Sequence, residues 1–140
     1  MEDKVQQFSK EFFGKSMEFL NLEFESVNDG VFVFSCEFNE LCSNPMGFVQ
    51  GGMITTALDD ATSAVMISGY KEKKAPMTTD LHVLFHRPLP LGKAMMEVKV
   101  IKLGQKSATS EGRIFNQENK LVATLSVSYT HLTLPTIAEV

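Results

Sequence analysis

The chain predicts an α+β domain: one long helix laid against an antiparallel sheet of about five or six strands. Three observations carry that expectation. A helical pattern from Met53 to Ile67 opens behind a glycine pair, Gly51-Gly52. A hairpin signal, Asn28-Asp29-Gly30, stands between two alternating runs ahead of it. Four further strand-like runs follow the helix, punctuated by turns and by no second helix.

Each element has its own justification. Val5, Phe8, Phe12 and Phe13 recur at helical spacing, which predicts a short amphipathic helix over residues 3 to 15. Phe19 to Val27 reads as a strand, with Leu20, Leu22 and Phe24 alternating against Asn21, Glu23 and Glu25. Val31 to Phe38 reads as the second, and Phe32, Phe34, Cys36 and Phe38 form its buried face. Residues 40 to 49 form a loop holding Pro45 and Gly47. In the long helix, Met53, Ile54, Ala57, Leu58, Ala61, Ala64 and Val65 gather on one broad face. The opposite face carries Thr55, Thr56, Asp59, Thr62, Ser63 and Met66, with no basic residue from Asn44 to Tyr70. Such a face suits packing against a sheet, a second subunit or a ligand; the helix alone leaves open whether Asp59 and Asp60 are simply solvated. A charged connection over residues 70 to 76 leads to strands at 77–86, 94–103, 107–116 and 121–129. A single domain is expected over residues 1–129, and 130–140 read as a non-native or disordered tail without function.

Composition removes several classes of function. The net charge of −4 argues against nucleic-acid binding by bulk attraction. No apolar run is long enough for a membrane span, and the acidic start Met-Glu-Asp-Lys is no signal peptide. Cys36 and Cys42 are too few for a disulfide framework and lack metal-ligand spacing with His82, His86 or His131. A reduced, cytoplasmic protein without metal is the expectation. His82 and His86 share strand parity with Asp80 and read as exposed sheet residues.

The chemistry concentrates between Asn44 and Asp60. Free backbone N–H groups at a helix start suit the partial negative charge on a polarised carbonyl oxygen. Gly51 and Gly52 stand at such a start, with the side-chain amide of Gln50 just before them. A carboxylate two turns further on is placed to handle an attacking water.

The order of these elements resembles the hotdog fold, in which a sheet wraps a long central helix. Asn44, Gln50-Gly51-Gly52 and Ala57-Leu58-Asp59-Asp60-Ala61 are similar to the signature of phenylacetyl-CoA thioesterase-like members of the 4-hydroxybenzoyl-CoA thioesterase superfamily. That signature is an Asn, then His-Gly-Gly, then an Asp nine residues after the His, so spacing selects Asp59 with Asp60 as runner-up. Phe85-His86-Arg87-Pro88 with Gly92, and Gly104-Gln105-Lys106-Ser107, resemble two further family turns.

The resemblance implies an acyl-CoA thioesterase that needs no cofactor, coenzyme A entering as part of the substrate. Asp59 matches the carboxylate that activates water or attacks the thioester. Gly51 matches the backbone N–H that polarises the carbonyl, and Asn44 a residue that holds carbonyl or water. Thr78 falls where relatives place a water-orienting hydroxyl, with Ser63 as its rival. Arg87, Lys106 and Ser107 match turns that meet coenzyme A phosphates. The family site is shared across a dimer interface, implying a homodimer or a dimer of dimers. Gln50 replaces the family His; an amide does not titrate, so it serves only if that position braces the loop by donating hydrogen bonds. Two other readings remain: a non-catalytic module that binds acyl-CoA, and a hydratase, which the missing His disfavours.

Overall fold

The computed structural model describes residues 13–70 and 74–133. A short helix α1 (Lys15–Phe19) precedes the hairpin β1 (Glu23–Asn28) and β2 (Val31–Phe38). The long helix α2 (Gly51–Gly69) follows, then β3 (Lys74–Phe85), β4 (Gly92–Leu103), β5 (Ser107–Phe115) and β6 (Leu121–Thr133). The six strands form one antiparallel sheet in the order β1-β2-β4-β5-β6-β3. This is the α+β hotdog arrangement expected, with the helix against the sheet's inner face.

The hairpin forms as its turn chemistry dictates. Asp29 and Gly30 both take positive φ, 51° and 76°, the signature of a two-residue primed turn. Phe32, Phe34, Cys36 and Phe38 are all buried, and Phe34 meets Phe24 edge-on with centroids 5.6 Å apart.

Several boundaries differ from expectation; β3 begins at Lys74, within the stretch expected as a connection, and β4 at Gly92. Phe19 to Asn21 is not strand: Met17 and Leu20 are buried at helical spacing in and just after α1, and Asn21 turns the chain at φ 51° before β1 begins. Most of the helix expected over residues 3–15 lies outside the described residues. The long helix runs two residues further at each end, because Gln50 caps it and no breaker intervenes before Tyr70. β6 continues past Tyr129, pairing Thr130 to Thr133 with Met77 to Lys74, while residues 134–140 lie outside the described residues.

Part of the helix face that lacks basic residues packs against the sheet, one of the three covers it suits, while Thr55, Thr56, Asp59 and Ser63 stay half-buried. Thr62 and Met66 are both 0% exposed, and β5 closes against Thr62 at Gly112. Thr62 tolerates burial by donating its hydroxyl to the carbonyls of Leu58 and Asp59, at 2.9 and 3.0 Å. Gly112 on β5 permits this approach. A Cβ there would meet Leu58 Cδ2 at 3.2 Å and Thr62 Cγ2 at 3.3 Å.

Helix α1 is pinned to α2 by a polar bond. Ser16 Oγ donates to Asp60 Oδ2 at 2.6 Å. Burial pushes the Asp60 carboxyl up to about 6, opposed by the Ser16 bond and aided by the neighbouring Asp59. Asp60 is therefore neither simply solvated nor ion-paired.

Two outcomes follow from this packing. Gly112→Val forces a branched side chain against Leu58 and Thr62 and costs about 1–3 kcal/mol in urea unfolding. For Asp60, folding raises the carboxyl from 3.8 to about 6, so the folded state holds a proton that the unfolded state has released. Stability contributed here falls as pH climbs through that window and stays lowered above it. Asp60→Asn keeps an acceptor for Ser16 without the charge. Its Tm gains on wild type by calorimetry as pH rises from about 4 to about 6.5.

Candidate active site

The loop before α2 is built by its own side chains. Asn39 Oδ1 accepts from Leu41 N at 2.8 Å and caps a short 3-10 turn, Glu40–Cys42. Asn44 Oδ1 accepts from Met46 N at 2.9 Å and Phe48 N at 3.1 Å, and Gly47 completes the turn at φ 88°. The carbonyl end of the Asn44 side chain is thus committed to the loop. Its NH2 end has no partner among the described residues, and Asn44 lines the adjoining cavity.

Gln50 braces the helix start, but by accepting. Its Oε1 takes the Met53 N–H at 3.0 Å as the N-cap, and its own N–H donates to the Cys42 carbonyl at 2.8 Å. The expected donation by its amide is not what holds the loop: the exposed backbone donor at Met53 is the nearer need. The Gln50 amide folds over Gly52, where a Cβ would stand 2.8 Å from Oε1. Gln50 is not among the cavity-lining residues.

Gly51 does face the cavity. The pocket, about 460 Å³, is bounded by the Asn44–Val49 loop, by Gly51 and Ile54, and by Phe85 to Leu89. The Phe85 ring lies across Gly51, its Cζ 3.3 Å from where a Cβ would be. Among the described residues no acceptor meets the Gly51 N–H, which leaves a donor at the positive end of the helix dipole beside an apolar pocket. Arg87 stands exposed at its mouth.

Asp59 lies elsewhere. Thr78 Oγ1 donates to Asp59 Oδ1 at 3.2 Å. Burial raises the Asp59 carboxyl, and the Thr78 bond partly offsets that rise. Among the described residues neither Asp59 nor Asp60 has a cationic partner; the one ion pair there is Lys15–Glu18. Ser63, the rival to Thr78, is not bonded to Asp59; its hydroxyl bears on the phenol of Tyr129.

The site residues therefore fall into two groups. Asn44, Gly51 and Arg87 gather at one end of β3, Asp59 and Thr78 towards the other. Eight residue steps along the helix separate Gly51 from Asp59, about 12 Å along the axis. Lys106 lies in the β4–β5 turn and Ser107 opens β5, at the Asp59 end, where Ser107 and Met77 both pair with Thr130. The length of β3, on the order of 30 Å, separates them from Arg87.

Sequence reasoning missed three participants. Tyr129 is buried near Asp59, its phenol pushed up to about 12 chiefly by burial, and it lies 3.4 Å from Ser110 Oγ. Phe85 walls the Gly51 pocket, and Ser16 holds Asp60. Only Phe85 carried a signal, as part of a recognised turn. His82 and His86 are exposed like Asp80, as expected, and His86 also borders the Gly51 cavity.

A family model described as the thioesterase superfamily matches residues 46–123, over half of the chain and most of both groups. A Saccharolobus solfataricus protein named as an esterase is 27% identical over 105 residues, covering 75% of this chain and 69% of its own length. A Haemophilus influenzae thioesterase structure superimposes with a TM-score of 0.83 at 17% identity, covering 95% of this chain and 93% of that one. The structure of a Streptococcus mutans protein bound to acetyl-CoA gives 0.72 at 20% identity, covering 83% and 92%. At such identities the structural likeness speaks to the fold alone. Among the described residues no helix is long and apolar enough to cross a membrane, and no cluster of metal-ligating side chains forms. The match along more than half of its length places the chain in the thioesterase superfamily, as a thioester hydrolase.

Proposed function

We propose that the protein hydrolyses acyl-CoA thioesters in a site assembled from two copies of the chain. The observation that carries this reading is the separation of Gly51 from Asp59 on one helix. A single thioester group cannot reach a carbonyl polariser and a carboxylate about 12 Å apart. The edge strand β3 supplies the remedy. It is an open edge with exposed Met77 (52%), Leu81 (38%), Leu84 (52%) and Phe85 (52%), the kind of apolar edge that soluble proteins cover. The opposite edge, β1, presents Glu23, Glu25 and Ser26 instead.

Antiparallel pairing of two β3 edges about a two-fold axis sets the Gly51–Phe85–Arg87 end of one copy beside the Asp59–Thr78 end of the other. It also brings Lys106 and Ser107 of one copy towards Arg87 of the other, giving the coenzyme A phosphates a basic surface. The acetyl-CoA bound to the structurally similar Streptococcus mutans protein supports coenzyme A as the carrier.

In this site the Gly51 N–H donates to the thioester carbonyl oxygen and stabilises the oxyanion. Asp59, oriented by Thr78, removes a proton from water as the water oxygen bonds to the carbonyl carbon. Collapse of the tetrahedral intermediate breaks the carbon–sulfur bond. The coenzyme A thiolate takes up the proton, leaving the free acid. Direct attack by Asp59 would instead pass through an anhydride. Single-turnover hydrolysis in labelled water separates the two, since only the anhydride route leaves label in the Asp59 carboxylate.

Free-thiol release from a panel of acyl-CoAs tests the reading. Asp59→Asn is expected to lose at least 10²-fold in kcat, while Asp60→Asn retains most turnover. Acyl-CoA binding without turnover in the wild-type protein would replace the enzyme with a binding module.

The shared site has its own test. Gly51 is the first helical position, where proline is tolerated but supplies no N–H. Gly51→Pro is expected to lose about 10²–10³-fold in kcat, with Gly51→Ala as the steric control against Phe85. Mixing Gly51→Pro with Asp59→Asn chains restores about a quarter of wild-type turnover, since half of the dimers then hold one intact site. No recovery after subunit exchange, or a monomer by sedimentation, would contradict it.

A further inference from the structure

Strand β3 does not reach Asp59 by simple alternation. Phe85, Val83 and Leu81 pair with Ala123, Leu125 and Val127 of β6, whose side chains lie in the core. Continuing that parity would turn Thr79 to the inner face and Thr78 to the outer one. The register shifts between Thr78 and Asp80, however, and Thr78 pairs with the buried Tyr129. This bulge returns Thr78 to the inner face, where its hydroxyl meets Asp59 at 3.2 Å. Thr79 is the extra residue, and its Oγ1 donates to the Ser128 carbonyl at 3.1 Å. A side-chain bond thus ties the bulged residue to β6 where the ladder slips.

We propose that Thr79 is a positioning residue: by locking the β3 bulge to the Ser128 carbonyl, it holds the Thr78 hydroxyl on Asp59. The proposal rests on Asp59 being the reacting carboxylate. Within one chain β3 takes its register from β6 alone, and a slip of one residue past the bulge would reverse its faces and carry Thr78 away from Asp59. Among the described residues, the titratable groups facing Asp59 are Asp60 on its own helix and Tyr129 on β6. Neither donates to Asp59: the Tyr129 phenol meets Ser110, and the Asp60 carboxyl accepts from Ser16. Losing Thr78 leaves the carboxylate with its burial uncompensated, so its titration moves up.

The experiment compares pH profiles of kcat/KM for wild type, Thr78→Val, Thr79→Val and Thr79→Ser. Valine keeps the β-branched shape at both positions and removes only the hydroxyl. Thr78→Val is expected to lower kcat about tenfold, the effect of one hydrogen bond to a carboxylate, and to move the acid limb to higher pH. Thr79→Val is expected to reproduce both changes without touching Asp59, and Thr79→Ser to restore the wild-type profile. A Thr79→Val enzyme with the wild-type limb, beside a shifted Thr78→Val, would overturn the proposal and leave the Asp59 reading intact. Loss of activity only in proportion to the folded fraction, measured by active-site titration, would overturn it equally. Unchanged turnover in Asp59→Asn would remove the reading beneath it.

Discussion

The burial of α2 in the concave face of the sheet is the constraint on which the molecule depends. A helix of 19 residues is covered on nearly all sides, so its sequence must be small where strands come close. Ala57, Ala61 and Ala64 meet that need from the helix and Gly112 from the sheet. The same enclosure shapes the chemistry. A carboxylate on such a helix is pulled from water with no cation among the described residues to receive it, which raises both Asp59 and Asp60 from the ordinary Asp value. One is bound by Ser16 and serves the packing of α1; the other is met by Thr78 from the edge strand.

Enclosure by one sheet also leaves an edge. The chain leaves β2 through α2 and adds β3 at the far side of the sheet, beside β6, so β3 has no outer neighbour among the described residues. Both halves of the proposed chemistry touch this strand, Phe85 over Gly51 and Thr78 on Asp59. Stability and catalysis thus make the same demand on β3. Its apolar side chains call for a partner strand, and its two ends carry complementary parts of the proposed site. Gln50 fits this division: as an N-cap it shapes the helix start, a task that needs an acceptor and no titrating group.

Much of this was legible in the chain. The hairpin turn followed from Asn28-Asp29-Gly30, the buried face of β2 from its phenylalanines, and the long helix from its periodicity. These are short-range consequences of turn chemistry and side-chain period, which neighbouring residues alone impose. Thr78 was singled out only by resemblance, as a water-orienting hydroxyl; its bond to Asp59 appears in the structure, where strand parity by itself would have offered Thr79. The roles of Asn44 and Gln50 were legible only in part, because an amide may donate or accept and the local backbone decides which end is used.

By itself, the sequence determined the order of elements, the glycine-led helix start and the identity of the candidate carboxylates. Tertiary structure decided what those groups face. It buried Thr62 and Met66, gave Asp60 to Ser16, slipped the register of β3 at Thr79, and separated Gly51 from Asp59. The physical reason is that periodicity fixes only the side of its own element on which a residue lies. Burial, charge and reach depend on which distant strand closes over that side, and residues far apart in the chain settle that together.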